Sequence, residues 1–136
     1  MRGRGYLEIE GLGLLEVCEE KDGISNINFV DIKLEEIYSK GVEKCIEQLK
    51  EYFDKKRKIF DIKLDISQGT EFQQEAWKAL LDIPYGETRS YQEQAVSVKN
   101  PKAVRAIGGA NHNNPIPIII PCHRVIGKNG KLTGYG

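Results

Sequence analysis

The sequence predicts a protein of the α/β (α+β) class with two small domains. Residues 1–66 contain three short strand-like segments joined by tight turns and followed by one amphipathic stretch, which predict a small three-stranded sheet with a helix. Residues 67–136 contain three successive helix-start patterns, which predict a mainly helical domain with a helix-turn-helix. Ser67-Gln68-Gly69 interrupts the pattern, so we place the domain boundary there.

Composition predicts a soluble intracellular protein. The chain has 136 residues, of which 40% are hydrophobic, and it can therefore bury a core. It has no apolar run near the ~20 residues of a membrane span, and its first residues lead into no secretory segment. Three cysteines without framework spacing predict reduced thiols rather than disulfides. We therefore expect a cytoplasmic protein with no membrane partner.

The formal net charge is zero, but it is divided unevenly between the two domains. Residues 1–66 hold 12 Lys and Arg against 15 Asp and Glu, a net charge of −3, and residues 67–136 hold 8 against 5, a net charge of +3. A strong nucleic-acid footprint would be far more basic. The charge of the second domain therefore permits phosphate contacts without requiring them.

Three segments near the N-terminus have strand character. Tyr6–Glu10 alternates apolar and polar residues, and Leu14–Cys18 is rich in strand-forming side chains. Lys21-Asp22-Gly23 supplies a turn before the third segment, Ile24–Val30, which alternates imperfectly. Short connections of this kind predict neighbouring antiparallel strands.

Apolar residues at helical spacing then predict an amphipathic helix from about Ser39 to Lys56. Cys45 lies on its apolar stripe and Cys18 lies in a predicted strand, so we expect both to be buried packing residues rather than reactive thiols. The basic run Lys55–Lys58 is interpreted as cations that complement the helix dipole in water, with phosphate contact as the alternative.

The second domain opens with a capping-box pattern. Thr70 is followed at the third position by Gln73, a spacing in which the threonine caps a helix and the glutamine reaches back. Apolar residues then mark one face until Pro84-Tyr85-Gly86 ends the helix.

Two further helix starts predict the helix-turn-helix. Ser90 and Glu93 repeat the capping-box spacing, so a short helix should begin at Tyr91. Asn100 followed by Pro101 at the first helical position predicts a third helix, running to about Ala110.

This third helix has a face of very small side chains, formed by Ala103, Ala106 and Ala110, with Arg105 projecting elsewhere. Such a face allows close approach of another helix of the same protein, and this is one interpretation. The other is DNA. Without long polar side chains the helix would dock on sugar and phosphate rather than read bases, and one arginine would be available to enter the base stack.

Cys122 and His123 stand side by side after Pro121 and an apolar run, in the stretch PCHRV. Zinc takes three or four protein ligands, and only His112 adds to this pair, so we expect no metal site. Because proline breaks the run, the chain can turn there and bring the thiol to the surface beside His123 and Arg124, which would favour thiolate. The alternative is a buried cysteine beside a solvated histidine.

Four segments carry a resemblance to a known family. GTEFQQEAW, IPYGETRSY, NPKAVRAIGGA and NPIPIIIPCHRVIGKNGKLTGYG, in this order and spacing, resemble the O6-alkylguanine-DNA alkyltransferases. The match is dense from Gly69 to Gly136 and looser over Gly41–Leu64. The first forty residues match in strand pattern only.

The resemblance implies single-turnover DNA repair. Such a protein flips an alkylated guanine out of the duplex and moves the alkyl group from O6 to its own cysteine, and the same chemistry extends in principle to O4 of thymine. It implies no cofactor and no metal. The expected partner is double-stranded DNA that contains O6-alkylguanine, bound by a monomer in the cytoplasm or at the nucleoid.

The resemblance also implies residue roles. Cys122 matches the alkyl acceptor, His123 the water-mediated base and Tyr91 the hydrogen-bond donor to the extruded base. Arg105 matches the arginine finger that fills the vacated place in the stack. Matched positions at the DNA surface are Ala103, Ala106, Gly108, Ser90 and Gln92, and those of the substrate pocket and hinge are Asn114, Pro117, Val125, Tyr135, Gly136 and Arg124.

The chain departs from the family pattern in two places. It stops at Gly136, before the family's final helix and the glutamate that orients the histidine, so the relay is expected to be incomplete as written. Gln94 stands where an apolar helix residue is expected, which bears on packing alone.

Two alternatives therefore stay beside alkyl transfer. An alkyltransferase-like lesion-binding module would flip and mark the base without efficient transfer, although such relatives generally replace the cysteine. A cysteine hydrolase would need a separate histidine and carboxylate, for which the sequence offers no histidine but His112.

Overall fold

The computed structural model describes residues 1–127. The chain divides into two compact units, the first spanning Met1–Ile66 and the second beginning at Ser67, and each is described here by itself. Among the described residues, no helix combines the length and apolarity that crossing a membrane requires.

The first unit is built on a three-stranded antiparallel sheet. Its strands are β1 (Gly3–Ile9), β2 (Gly13–Glu20) and β3 (Gly23–Val30), in the order β1-β2-β3. Each strand begins earlier than the predicted segment because the hydrogen-bonded ladder extends to a glycine, which the pattern of side chains does not reveal. The predicted number of strands and their order along the chain are confirmed.

Helix α1 (Lys40–Phe53) packs on one face of this sheet. Ser39 caps it, with its hydroxyl accepting a hydrogen bond from the backbone N–H of Val42 at 3.1 Å. A Cβ added to Gly5 of β1 would lie 2.7 Å from Val42, so the glycine permits the helix to approach this closely. Cys45 on α1 is fully buried and Cys18 on β2 is buried, which confirms both as packing residues.

The helix ends at Phe53, before the predicted Lys56. Lys55 adopts a left-handed backbone conformation with φ of +62°, which turns the chain away from the helix axis. Arg57 then folds back, and its guanidinium donates to the Glu51 carboxylate at 2.8 Å and to the Ile59 carbonyl at 2.8 Å. The basic run therefore forms a loop whose arginine is bound within the unit.

The opposite face of the sheet carries a buried carboxylate, Glu16 on β2. It accepts hydrogen bonds from the Tyr6 hydroxyl at 2.7 Å and from Asn28 Nδ2 at 3.1 Å. The bond from Tyr6 is the main reason why the pKa of Glu16 lies below its ordinary value, against the opposing effect of burial.

Three helices form the core of the second unit. Helix α2 (Glu71–Leu81) begins with the predicted capping box, in which Thr70 and Gln73 exchange hydrogen bonds of 3.1 and 2.9 Å. Small and branched side chains from the three helices pack together; they are Ala76, Ala95, Ile107 and Ala110. The buried Trp77 indole donates to the Ala110 carbonyl at 2.9 Å and so ties α2 to the end of α4 (Val104–His112).

The helix-turn-helix consists of α3 (Tyr91–Ser97) and α4. Helix α3 begins at Tyr91, as predicted, with Ser90 as its cap. The predicted start of α4 at Pro101 is wrong. Lys99 has a left-handed φ of +61°, and the N–H of Ala103 bonds to the Asn100 carbonyl at 3.0 Å in a turn, so the proline lies outside the helix.

The apolar run of residues 116–120 forms a buried loop rather than a strand. Ile118 has a φ of +77°, and the N–H of Ile120 bonds back to the Ile116 carbonyl at 2.9 Å. Two short strands flank the region, β4 (Arg89–Ser90) and β5 (Val125–Ile126), which pair in parallel. Together the two units confirm the predicted α/β (α+β) class.

Candidate active site

Cys122 opens a 3₁₀ turn, Cys122–Arg124, directly after Pro121. The N–H of Cys122 bonds to the Ile120 carbonyl at 2.9 Å, and the N–H of Arg124 bonds to the Pro121 carbonyl at 3.0 Å. The thiol is half-buried, in contrast to the two buried cysteines of the first unit. Because the chain turns here, Cys122 and His123 are not forced onto opposite faces of a strand.

Asn114 fastens the buried loop that leads to the cysteine. Its side-chain amide donates to the Ile120 carbonyl at 2.8 Å, and its side-chain oxygen accepts from the N–H of Ile116 at 2.9 Å. The N–H of Cys122 bonds to the same Ile120 carbonyl, at 2.9 Å. The structure thus brings together Asn114 and Cys122, which the sequence predicts as hinge and acceptor.

Opposing effects set the acidity of the Cys122 thiol. Burial raises its pKa, while hydrogen bonds from the Asn114 side chain and from the backbone N–H groups of Cys122 and His123 act to lower it, and the net shift is upward. The resting group is therefore a thiol at neutral pH, surrounded by donors that would stabilise the thiolate once a base removes the proton.

His123 is half-buried beside the thiol. Burial is the main cause that lowers the pKa of its imidazole, and the positive charge of Arg124 adds to the effect. The ring is therefore neutral at pH 7 and able to accept a proton.

Arg124 links the cysteine turn to residues that follow α2. Its guanidinium donates to the carbonyl of Ile83 at 2.7 Å and lies 5.7 Å from the centre of the Tyr85 ring. These contacts tie the cysteine turn to the segment that follows α2. They favour a bracing role for Arg124, and its predicted contact with a substrate stays a prediction.

The β4–β5 pairing brings Tyr91 near the cysteine turn. Val125, which follows the turn and is fully buried, pairs with Arg89, and Ile126 pairs with Ser90. Tyr91 follows Ser90 directly and is partly buried against the core of the three helices. No residue pattern signals strands of two residues, so the sequence did not reveal this link.

Comparisons with known proteins give one answer for both units. Residues 5–66 match the family described as 6-O-methylguanine DNA methyltransferase, ribonuclease-like domain, and residues 71–136 match its DNA binding domain. The methylated-DNA–protein-cysteine methyltransferase of Methanosarcina acetivorans is 48% identical over 131 residues, which cover 91% of this chain and 83% of that protein. The constitutive enzyme of Bacillus subtilis is 47% identical over 134 residues, with 91% and 81% covered.

The chain belongs to the 6-O-methylguanine DNA methyltransferase family. Its fold also matches the crystal structure of Mycobacterium tuberculosis OGT in complex with DNA, with a TM-score of 0.84 and 44% identity over 96% of this chain and 82% of that one. The resemblance inferred from the sequence is therefore confirmed. The protein is a methylated-DNA–protein-cysteine methyltransferase, a DNA-repair enzyme of single-turnover type with a DNA-binding domain.

In the methyltransferase, α4 divides into a buried and an exposed face. Ile107, Ala110 and Asn111 are buried, so Ala110 belongs to the packing of the three helices and not to an outer surface. Arg105 and Ala106 are exposed. The small outer face predicted from the sequence is thus shorter than expected.

The remaining predicted DNA-binding residues surround this exposed face. Ala103 and Gly108 are half-exposed, and a Cβ added to Gly108 would lie 4.0 Å from the Tyr91 ring. The Ser90 hydroxyl accepts from the N–H of Glu93 at 3.0 Å as the cap of α3. The Gln92 amide donates to the Pro101 carbonyl at 3.1 Å, across the turn of the helix-turn-helix. Their roles at DNA stay predictions.

Three residues remain from the predicted substrate pocket. Pro117 lies partly buried in the loop before the cysteine. Tyr135 and Gly136 lie outside the described residues. Within residues 1–127, no group of three or more His, Cys, Asp and Glu side chains has the proximity to hold a metal ion.

Sequence reasoning missed a buried hydrogen-bonded pair of the methyltransferase. Gln94, which stands where the family pattern predicts an apolar residue, faces the equally buried Asn111, and each amide donates to the other. The departure at Gln94 was the signal. Its partner could not be inferred, because the two residues lie 17 positions apart on different helices.

Proposed function

We propose that this methyltransferase acts on O6-alkylguanine in duplex DNA, flips the damaged nucleotide out of the stack and receives the alkyl group on Cys122. One observation carries the proposal. The half-buried Cys122 opens a 3₁₀ turn that the Asn114 amide fastens through the Ile120 carbonyl, with the neutral imidazole of His123 next in the chain. This is the environment that a soft nucleophile needs for displacement at an alkyl carbon.

The chemistry balances without a cofactor. His123 takes the thiol proton through one water molecule, and the thiolate attacks the alkyl carbon. A sulfur–carbon bond forms while the bond from carbon to O6 breaks, and the guanine leaving group takes up a proton, so that a neutral, repaired guanine stays in the DNA strand. The thioether has no easy hydrolytic exit, which agrees with the single turnover of the family.

Residues around the turn hold the extruded base. Tyr91 donates a hydrogen bond to the guanine as the bond to its O6 breaks, and backbone groups at Val125 contact the edge of the base. Pro117 borders the space for the alkyl group. Tyr91 directly follows strand β4, and Val125 lies in β5, which pairs with β4. This proximity supports a shared role for the two residues.

The exposed face of α4 docks on the duplex. Arg105 enters the place that the flipped nucleotide vacates, which offsets part of an unstacking cost of a few kcal/mol. The small side chains at Ala103, Ala106 and Gly108 allow the helix to approach the sugar-phosphate backbone, and Ser90 and Gln92 supply polar contacts. The net charge of +3 on residues 67–136 permits phosphate contact.

The functional unit is a monomer that works where the chromosome lies, in the cytoplasm or at the nucleoid. A duplex lesion of one base needs one active site, and Tyr91, Cys122 and His123 lie in the same compact unit. The smaller O4-alkylthymine offers the same oxygen-bound alkyl carbon and is the second substrate to test.

The test is an intact-mass measurement after incubation with a duplex that contains one O6-methylguanine, with an O4-methylthymine duplex in parallel. The wild type and Cys45→Ala should each gain one methyl group per molecule, located on Cys122 by peptide mapping. Cys122→Ala should gain none yet retain affinity for the duplex. Tight lesion binding without mass gain, or repeated turnover without a protein adduct, would overturn the proposal.

A further inference from the structure

The buried amide pair, Gln94 on α3 and Asn111 on α4, is a polar contact inside the helical core. The two residues are 2% and 5% exposed. Gln94 Nε2 donates to Asn111 Oδ1 at 2.9 Å, and Asn111 Nδ2 donates to Gln94 Oε1 at 2.8 Å. Gln94 Nε2 also donates to the Ala76 carbonyl on α2 at 3.1 Å. The pair therefore joins all three helices.

Stability alone does not require such a pair. Replacing both members of a buried hydrogen-bonded pair by apolar groups of the same shape is often nearly neutral, because the net contribution of each bond is small. A hydrogen bond is directional, whereas an apolar contact is not. A hydrogen-bonded pair therefore fixes both the distance and the relative rotation of the groups that it joins.

The amide pair lies between two parts of the active site. The backbone carbonyl of Asn111 accepts from the N–H of Asn114 at 3.3 Å, and the Asn114 amide in turn donates to the Ile120 carbonyl, which also accepts from the N–H of Cys122. On the other helix, Gln94 lies one turn after Tyr91. A rotation of α4 relative to α3 would therefore move Asn114 and, with it, the Ile120 carbonyl to which the N–H of Cys122 bonds.

We infer that Gln94 and Asn111 are positioning residues for alkyl transfer, which fix the end of α4 so that Asn114 holds the Ile120 carbonyl and the Cys122 turn in place. The inference rests on the proposed role of Cys122. The pair touches neither DNA nor the reacting atoms and acts through Asn114.

The test compares wild type with the double variant Gln94→Met/Asn111→Leu, which keeps the volume of both side chains and removes their hydrogen bonds. The reaction of Cys122 with iodoacetamide is followed across pH, because Cys18 and Cys45 are buried and the pKa of Cys45 is raised to about 12. The titratable and charged groups of the turn and of the elements packed around it (His123, Arg124, Arg89, Tyr91 and Glu93) are unchanged.

We expect the double variant to unfold near the wild-type temperature, to react with iodoacetamide roughly tenfold more slowly at neutral pH, and to have its pH profile moved upward, because the thiolate loses a hydrogen bond. Methyl transfer from the duplex should slow in parallel. The matched control is Ile107→Val, which loosens the packing of the same helix by one methyl group and should leave the pH profile in place.

A folded double variant with the wild-type pH profile and transfer rate would overturn the inference. If that variant does not fold, Gln94→Met alone makes the same test, with the same expected direction. The exchanged pair Gln94→Asn/Asn111→Gln, which restores two facing amides, should recover much of the rate. A wild type that gains no methyl group contradicts the proposed function, while an upward shift of the thiol profile in the variant would still support the positioning role.

Discussion

If His123 is the base that takes the thiol proton, its protonation sets the acid limit of the reaction. Burial holds its pKa below the ordinary value of 6.5, and a base with a lowered pKa stays neutral until the pH falls below that value. We expect the acid limb of the transfer rate to lie below pH 6.5 in the wild type. His123→Gln should lose that limb and slow transfer roughly a hundredfold. Single-turnover rates on a methylated duplex, measured across pH, check this, and an acid limb above pH 6.5 would contradict it.

Arg105 has an exposed side chain on the outer face of α4. If it fills the vacated place in the stack, Arg105→Ala should slow transfer from a duplex roughly tenfold, since extrusion of the base then lacks part of its compensation. Affinity for undamaged duplex should change little, and transfer from free O6-methylguanine base should not change at all. The exposed cation Lys102 provides the control, because Lys102→Ala removes charge without removing the inserted group. Equal weakening on intact and damaged DNA in both variants would indicate a plain phosphate contact.

At the residue scale, the sequence indicated which residues are candidates for the site more readily than which groups they contact. The motif PCHRV and the preceding Asn-Pro led to Cys122, His123 and Asn114. The sequence could not reveal that Arg124 donates to the Ile83 carbonyl, since the two residues lie 41 positions apart. Every residue has a backbone carbonyl, so the identity of Ile83 gives no signal of this contact. The pair formed by Gln94 and Asn111 escaped prediction for the same reason.

At the scale of elements, Ser90 connects helix α3 to the site. Its hydroxyl and the Glu93 carboxylate form a capping box, with hydrogen bonds of 3.0 and 2.8 Å. Ser90→Ala should destabilise the second unit by about 1 kcal/mol, measured by urea denaturation.

The same variant tests whether Ser90 also contacts DNA. If the hydroxyl only caps the helix, the salt dependence of duplex binding stays as in wild type at a temperature where the variant is folded. The variant Thr70→Ala loses the equivalent cap on α2 and controls for general destabilisation. A weaker duplex affinity in Ser90→Ala alone would place the hydroxyl at the DNA.

Two helix starts with a capping side chain were predicted to the residue, at Thr70 and Ser90, because the information is local. The start of α4 was not, because Ala103 provides no side-chain cap and the Asn100–Pro101 pair forms a turn of its own. The strands β4 and β5 have two residues each and exist through their mutual pairing, which no short pattern encodes.

At the scale of the whole molecule, the first unit should respond to acid through Glu16. Its pKa in the folded protein is lowered, so the stability that the carboxylate contributes is present at neutral pH and is lost as the pH falls below its ordinary value of 4.5. Glu16→Gln should flatten this part of the pH dependence of the free energy of unfolding. Urea denaturation from pH 7 to pH 3 checks it, with the exposed Glu8→Gln as control. Equal acid sensitivity of the two variants would contradict the assignment.

Helices α1 and α3 are each followed by a lysine with a left-handed backbone, Lys55 and Lys99. Glycine adopts this conformation without the clash of a Cβ atom, a difference of about 1 kcal/mol. Glycine at either position should therefore increase the thermal stability of the protein. Lys99 stands in the helix-turn-helix, where its charge is available for the proposed contact with phosphate. Lys55 lies in the other unit, so Lys55→Gly is the first substitution to make for a more heat-stable protein that keeps the DNA-binding domain unchanged.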